Sequence, residues 1–377
     1  MRVLLIHNYY QYRGGEETYV ESLKKLLEEN HHEVYFYSKH SNDIKTPWDK
    51  IKIAIGLFWN NQIDRELTKI IHDFKPDVAH LNNIYPLIGP SAITTLHNNK
   101  IPIIQTIHNY RFMCPKGILF RKGKMCELCI HLKLPFWSIV FGCYHQSRIA
   151  SLFFSLAYFF HRSLLHTFDK INMFIFPSQF TKKYYQKHLG IPESKTAYLP
   201  YFVDIKPPAR PVKKGDYYLF VGRLSEEKGI IELLEIFKNL PEKKLKVIGT
   251  GPLQKQVEVY KKYKNIEILG FMKRSNIQPI LQRARALIVP SLWYETGPIN
   301  AIEALVSNTP VIGSGIGSTQ ELSTTLNTIQ NIFEERKEKD MVLFKKIDKH
   351  KYYPIYHFHL LANLYASTIK KAILFNK

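Results

Sequence analysis

The chain predicts an α/β fold of two doubly wound domains with parallel sheets facing a central cleft. Three observations predict it: short β-rich runs alternate with helical patterns, a Pro-rich passage interrupts the alternation, and the alternation then resumes. Before the interruption the runs are "RVLLIH", "HEVYFYS", "DVAHL", "IPIIQTIH" and "INMFIFP", with amphipathic stretches such as "ETYVESLKKLLEEN" between them. The passage from Pro200 through "KPPARPVKK" reads as a linker, because proline fixes its own φ and restricts the residue before it. After it come "YYLFVG", "KLKVIG", "IEILG", "ALIVP" and "TPVIG". Expected bounds are 1–205 for the first domain, with a cysteine-rich insertion at 109–147, and 212–350 for the second. The tail 353–377 has apolar positions at helical spacing and reads as a packing helix that completes the first domain.

Bulk properties narrow the class. A chain of 377 residues exceeds one ordinary core and suits two domains. Its formal net charge of +21 predicts attraction to polyanions: nucleotides, anionic lipid headgroups or nucleic acid. No nucleic-acid-reading module is recognisable, so no nucleic-acid partner is expected. The start "MRVLLIHNYY" reads as a first strand and not as a secretory signal, and a cytoplasmic location follows as an expectation. The longest nearly apolar run, Ile149 to Phe160, is too short for a spanning helix, which needs about 20 residues.

Two stretches carry candidate chemistry. "VGRLSEEKGI", Val221 to Ile230, places Arg223 and Lys228 between a strand and a helix. Backbone N–H groups at a helix start plus two cations suit a diphosphate, while a solvated turn is the plain alternative. "PSLWYETGPINAIEAL", Pro290 to Leu305, places Glu295 just ahead of a helix opening near Pro298 and Glu303 in its second turn. Two carboxylates there can flank a ligand across the helix start; otherwise they form a solvated face.

These stretches, with "GGEE" at Gly14 to Glu17 and "TIHNYR" around His108, resemble the retaining nucleotide-sugar glycosyltransferases of family 4, which have the two-Rossmann GT-B fold. The resemblance runs from Met1 to about Leu322. It implies that Arg223 and Lys228 hold a nucleotide diphosphate, that Glu303 bonds the ribose and that Glu295 contacts the donor sugar. Gly14 and Gly15 would form a glycine loop at the diphosphate, Thr296, Gly297 and Ile299 would line the donor site, and His108 would stand near the transferred sugar. The implied reaction is sugar transfer from a UDP- or GDP-sugar to a glycan or lipid-linked acceptor, with no catalytic metal. The chain departs from the family in two places: Pro298 stands where glycine is common, and the expected glycine-bearing loop after Leu322 is replaced by "TTLNTIQNIFEERKEKDMVLFKK".

Cys114, Cys126, Cys129 and Cys143 fall in one window around "CELC". Four thiolates in a reducing compartment suit a structural zinc; unligated thiols and a redox pair are the other readings. The aromatic stretch "HQSRIASLFFSLAYFFHRSLLHTF" follows, with basic flanks. It reads either as a helix lying against an anionic membrane surface or as a largely buried helix.

Overall fold

The computed structural model describes residues 1–11, 14–322 and 349–375. The altered stretch after Leu322 and the end of the expected second domain lie largely outside these residues. The described residues form two compact units, one of Met1–Leu119, Glu127–Pro200 and Pro354–Lys377, the other of Phe120–Cys126 and Tyr201–Tyr353.

In the first unit the strands β1 (Arg2–Tyr9), β2 (Glu33–His40), β3 (Val78–Leu81) and β4 (Ile103–Thr106) belong to one six-stranded sheet. A two-stranded antiparallel hairpin, β5 (Phe120–Arg121) and β6 (Lys124–Met125), intervenes in the chain and groups with the other unit. The sheet is completed by β7 (Met173–Phe176) and β8 (Thr196–Tyr198), giving the order β2-β1-β3-β4-β7-β8 with every pairing parallel. Val3 to Ile6 are fully buried, as expected where helices cover both faces of a parallel sheet. The helices are α1 (Gly15–Glu29), α2 (Pro47–Gly56), α3 (Asn61–Phe74), α4 (Ser91–Asn98), α5 (Phe136–Val140), α6 (Arg148–Phe159) and α7 (Gln179–Leu189).

Local chemistry sets the helix starts. Asn60 and Ser178 accept hydrogen bonds from Ile63 N and Thr181 N, and Thr46 with Asp49 forms a reciprocal cap ahead of Pro47. The final helix, Pro354–Phe375, packs into this unit through buried polar pairs as well as apolar contact. Tyr365 Oη lies 2.6 Å from His80 Nδ1, and Tyr19 Oη lies 3.1 Å from His357 Nε2. Burial lowers the pKa of His80 and of His357 to about 3, so both stay neutral.

Residues 201–217 contain no helix or strand. The second unit then builds a parallel sheet from β9 (Tyr218–Val221), β10 (Leu245–Ile248), β11 (Ile266–Gly270), β12 (Leu287–Val289) and β13 (Val311–Gly313), in the order β11-β10-β9-β12-β13. Its helices are α8 (Ile230–Lys238), α9 (Gln254–Glu258), α10 (Arg274–Arg283), α11 (Ile299–Val306) and α12 (Thr319–Leu322). Leu233, Leu234 and Phe237 of α8 bury against Phe220, Val247 and Ile288 of the sheet. The strand order reverses between β9 and β12, and in open α/β sheets ligands bind outside the C-terminal strand ends at such a reversal.

Candidate active site

Both motif loops of the second unit leave the sheet at that reversal. After β9 the chain runs through Gly222 and Arg223 to a single turn at Glu226–Lys228. Gly229 closes it at φ +66°, and a Cβ there would lie 2.1 Å from the Pro290 carbonyl oxygen. Only glycine fits this approach. Leu292 N donates to Glu227 O at 2.9 Å, so the loop after β12 is docked on the loop after β9.

The docking brings Lys228 and Glu295 together. Lys228 Nζ lies 2.6 Å from Glu295 Oε1, which also accepts from Ser291 Oγ at 2.5 Å. The Lys228 ammonium stands over the Trp293 ring, 5.2 Å from its centroid. The Glu295 side chain is buried, whereas Lys228 keeps a quarter of its side chain exposed. Gly317 supports the backbone of Glu295: the two form a parallel bridge, and Ser318 N donates to Glu295 O at 3.0 Å.

Arg223 pairs within its own loop. Its Nη2 lies 2.6 Å from Glu227 Oε1, which Ser225 Oγ also reaches at 2.7 Å. Burial pushes the Glu227 carboxyl up, but the Arg223 charge and the Ser225 and Arg223 hydrogen bonds outweigh it and hold the group below the usual range. Glu303, on α11, is ion-paired with Arg274 at the start of α10. Burial raises its pKa against the opposing pull of Arg274. Its present partner is therefore a guanidinium. Thr296 is buried, and Gly297 leads to Pro298, whose carbonyl accepts from Ala301 N at 3.0 Å as α11 begins at Ile299.

In the first unit, Gly14 and Gly15 open α1. Glu17 closes the loop: its Oε2 accepts from Gly14 N at 2.7 Å and its Oε1 from Tyr10 N at 3.2 Å. The Gly14 N–H of the expected glycine loop thus has a carboxylate partner. Beyond β4, His108 is buried, with Nε2 2.8 Å from Asn82 Oδ1. Burial, then nearby His7 and His80, lowers the His108 pKa well below the usual range. The ring is neutral and orients Asn82. A cavity beside it is lined by Glu16, Asn82, Gln105, His108 and Arg111. Asn82 Nδ2 and Gln105 Oε1 are buried there without hydrogen-bond partners among the described residues.

The sequence profile described as Glycosyltransferase Family 4 matches residues 13–206, and that of Glycosyl transferases group 1 matches residues 204–349. The chain belongs to glycosyltransferase family 4. An uncharacterised 42.6 kDa protein in the cps region of Klebsiella pneumoniae is 23% identical, across 91% of this transferase and 93% of its own length. Among solved structures, AviGT4, a glycosyltransferase involved in avilamycin A biosynthesis, superposes with a TM-score of 0.61 at 17% identity over 98% of both chains. Anabaena HepE in complex with UDP-glucose gives 0.62 at 14% identity, over 97% of this chain and all of that one. These similarities identify the fold as GT-B.

Sequence reasoning missed the partners that hold the transferase's site residues. Glu227 lies inside the quoted "SEEKG", and its signal was spacing: four residues after Arg223, as in other charge pairs of one turn. Arg274 and Asn82 had no signal, because each is remote in sequence from the residue it holds. The four cysteines are half-buried thiols outside any disulfide, and among the described residues no three or more Cys, His, Asp or Glu side chains are arranged to hold a metal. Cys126 ends the hairpin that groups with the second unit, whereas Cys114, Cys129 and Cys143 group with the first.

Proposed function

We propose that this transferase moves a sugar, with retention of configuration, from a UDP- or GDP-sugar to a hydroxyl of a glycan or lipid-linked acceptor in surface polysaccharide or lipopolysaccharide synthesis, at the inner face of a membrane. The observation that carries the reading is the Lys228–Glu295 pair at the strand-order reversal, with Arg223 on the same short loop. A diphosphate entering there exchanges for the carboxylates now facing Lys228 and Arg223. Released from Lys228, Glu295 accepts from sugar hydroxyls, a charge-assisted bond about twice as strong as a neutral one.

In the transfer step the bond between the anomeric carbon and the diphosphate oxygen breaks, and its electron pair stays on that oxygen. The acceptor oxygen bonds to the anomeric carbon on the same face, and its proton passes to the leaving phosphate oxygen. Arg223 and Lys228 stabilise the charge that grows on the leaving group, a role that needs no dedicated metal. The unpaired Asn82 Nδ2 and Gln105 Oε1 offer one donor and one acceptor to sugar hydroxyls, and His108 positions the first of them. Support for the pathway comes from the relative's place in a cps region, and for the donor from the UDP-glucose complex of HepE.

The test is a thermal-shift screen of nucleotide sugars followed by transfer and donor-hydrolysis assays. A true donor at a hundred times its Kd adds about 2.7 kcal/mol of stability. Lys228→Ala and Glu295→Ala should each lower turnover by about a hundredfold or more. If no nucleotide sugar raises the melting temperature, the reading fails; a donor that binds without turnover instead marks a catalytically impaired member.

A further inference from the structure

We infer that helices α2, α5 and α6 of the first unit form one docking face for an anionic phospholipid surface. The inference deepens the reading of a membrane-bound acceptor and rests on it.

On α6 the apolar residues divide between two faces. Phe154 and Tyr158 turn inward with Ser151 and Ser155, while Ile149, Leu152, Phe153 and Leu156 are exposed. The spacing of that second set traces one helical stripe facing water, which a folded chain does not keep without a use. Helix α5 repeats the pattern: Ser138 is buried, whereas Phe136, Trp137 and Val140, and Phe141 just after them, are exposed. Ser138 Oγ and Ser155 Oγ meet at 2.7 Å, so the two helices share a polar inner seam and leave their apolar sides outward. Helix α2 contacts α6 and adds Trp48, Ile51 and Ile55, of which Trp48 is 71% exposed.

Charge selects the occupant. No Asp or Glu occurs between Glu127 and Asp169, the span that holds both α5 and α6. Lys133 and Arg148 within it are exposed, as are Lys50 and Lys52 on α2. The one acid of α2, Asp49, is engaged in capping Lys45 N and Thr46 N. Aromatic and aliphatic side chains rimmed by cations match an acyl boundary beneath anionic headgroups. No helix among the described residues is long and apolar enough to cross a membrane, so contact is along the surface.

The experiment is co-sedimentation of the full chain with phosphatidylglycerol–phosphatidylethanolamine vesicles, against pure phosphatidylcholine vesicles, with UDP binding followed in parallel. The protein should pellet with the anionic vesicles and far less with phosphatidylcholine. Phe153→Ser with Leu156→Ser, and separately Trp48→Ser with Ile55→Ser, should each weaken binding at least tenfold; Lys50→Glu with Lys52→Glu should make the loss steeper at low salt. All these side chains are exposed, so the variants should fold and keep their affinity for UDP. Unchanged pelleting of the variants overturns the proposal, as does a dimer in sedimentation velocity that the same substitutions dissolve. Loss of vesicle binding with UDP binding retained leaves the transferase reading intact, whereas vesicle binding by a protein that takes no nucleotide sinks that reading and spares the docking face.

Discussion

Lys228 and Glu295 are 67 residues apart in the chain and 2.6 Å apart in space. Their contact exists because Gly229 lets the loop after β9 lie against the Pro290 carbonyl. The pair holds both side chains at the end of the sheet before any ligand chemistry is considered. It also keeps a buried carboxylate compensated, which costs less than leaving it alone in a low-dielectric site.

Lys228→Ala should therefore affect both stability and turnover. Glu295 keeps only the Ser291 hydroxyl, and because Lys228 is partly solvated the loss is discounted to about 1–3 kcal/mol. Removing a donor that stabilises leaving-group charge lowers turnover by about a hundredfold or more. Urea titration and a donor-hydrolysis assay check the two effects, and full turnover by the variant would remove Lys228 from the mechanism.

Gly229→Ala probes the geometry behind the pair. The new methyl group meets the Pro290 oxygen at 2.1 Å, and φ of +66° is strained for any L side chain. The variant should lose about 2–4 kcal/mol and should bind UDP more weakly, since both loops must part. Chemical denaturation and calorimetry provide the readouts.

His108→Ala separates positioning from donor binding. It leaves Asn82 Oδ1 without its partner at a site the resemblance places near the transferred sugar. Sugar transfer should fall about tenfold to a hundredfold, the 1–3 kcal/mol expected of an unsatisfied buried group, while affinity for free UDP stays unchanged. Weakened UDP binding would point to a structural role instead.

Acid should destabilise the fold from about pH 6 downward. His7, His80 and His357 are held near 3 by burial, with His40 adding to the effect at His7 and His80 at His357, and His108 is also lowered. Between their folded values and the ordinary value near 6.5, the unfolded chain binds more protons than the folded one, so stability falls as pH falls. Each such histidine contributes about 1.4 kcal/mol per pH unit across that window. Glu227 acts in the same direction lower down, because its pKa is depressed and its contribution is lost as pH drops through the folded value. Melting temperatures from pH 8 to pH 4 test this, and a flat profile between pH 6 and pH 4 would contradict it.

Much of the fold was legible because parallel strands covered on both faces read as apolar runs. "RVLLIH" covers all but the last two residues of β1, and "DVAHL" and "ALIVP" contain β3 and β12. The hairpin β5–β6 escaped because two residues a strand carry too little pattern, and the edge strand β8 because its partly buried "TAY" is no apolar run. In the candidate site, Arg223, Lys228, Glu295 and Glu303 could be named from their motifs, but the Arg274 that faces Glu303 could not. A contact between residues of separate loops leaves no mark on either segment.

By itself the sequence determined the alternation of strands and helices, the motif loops, the excess of positive charge and the family. These depend on composition and on spacing within one segment. Only the tertiary structure decided which carboxylate each cation faces, which histidine is locked neutral and which apolar stripe meets water. Those outcomes depend on how strand order and loop docking bring remote residues within a few ångströms, where burial and Coulomb attraction become strong enough to fix a partner.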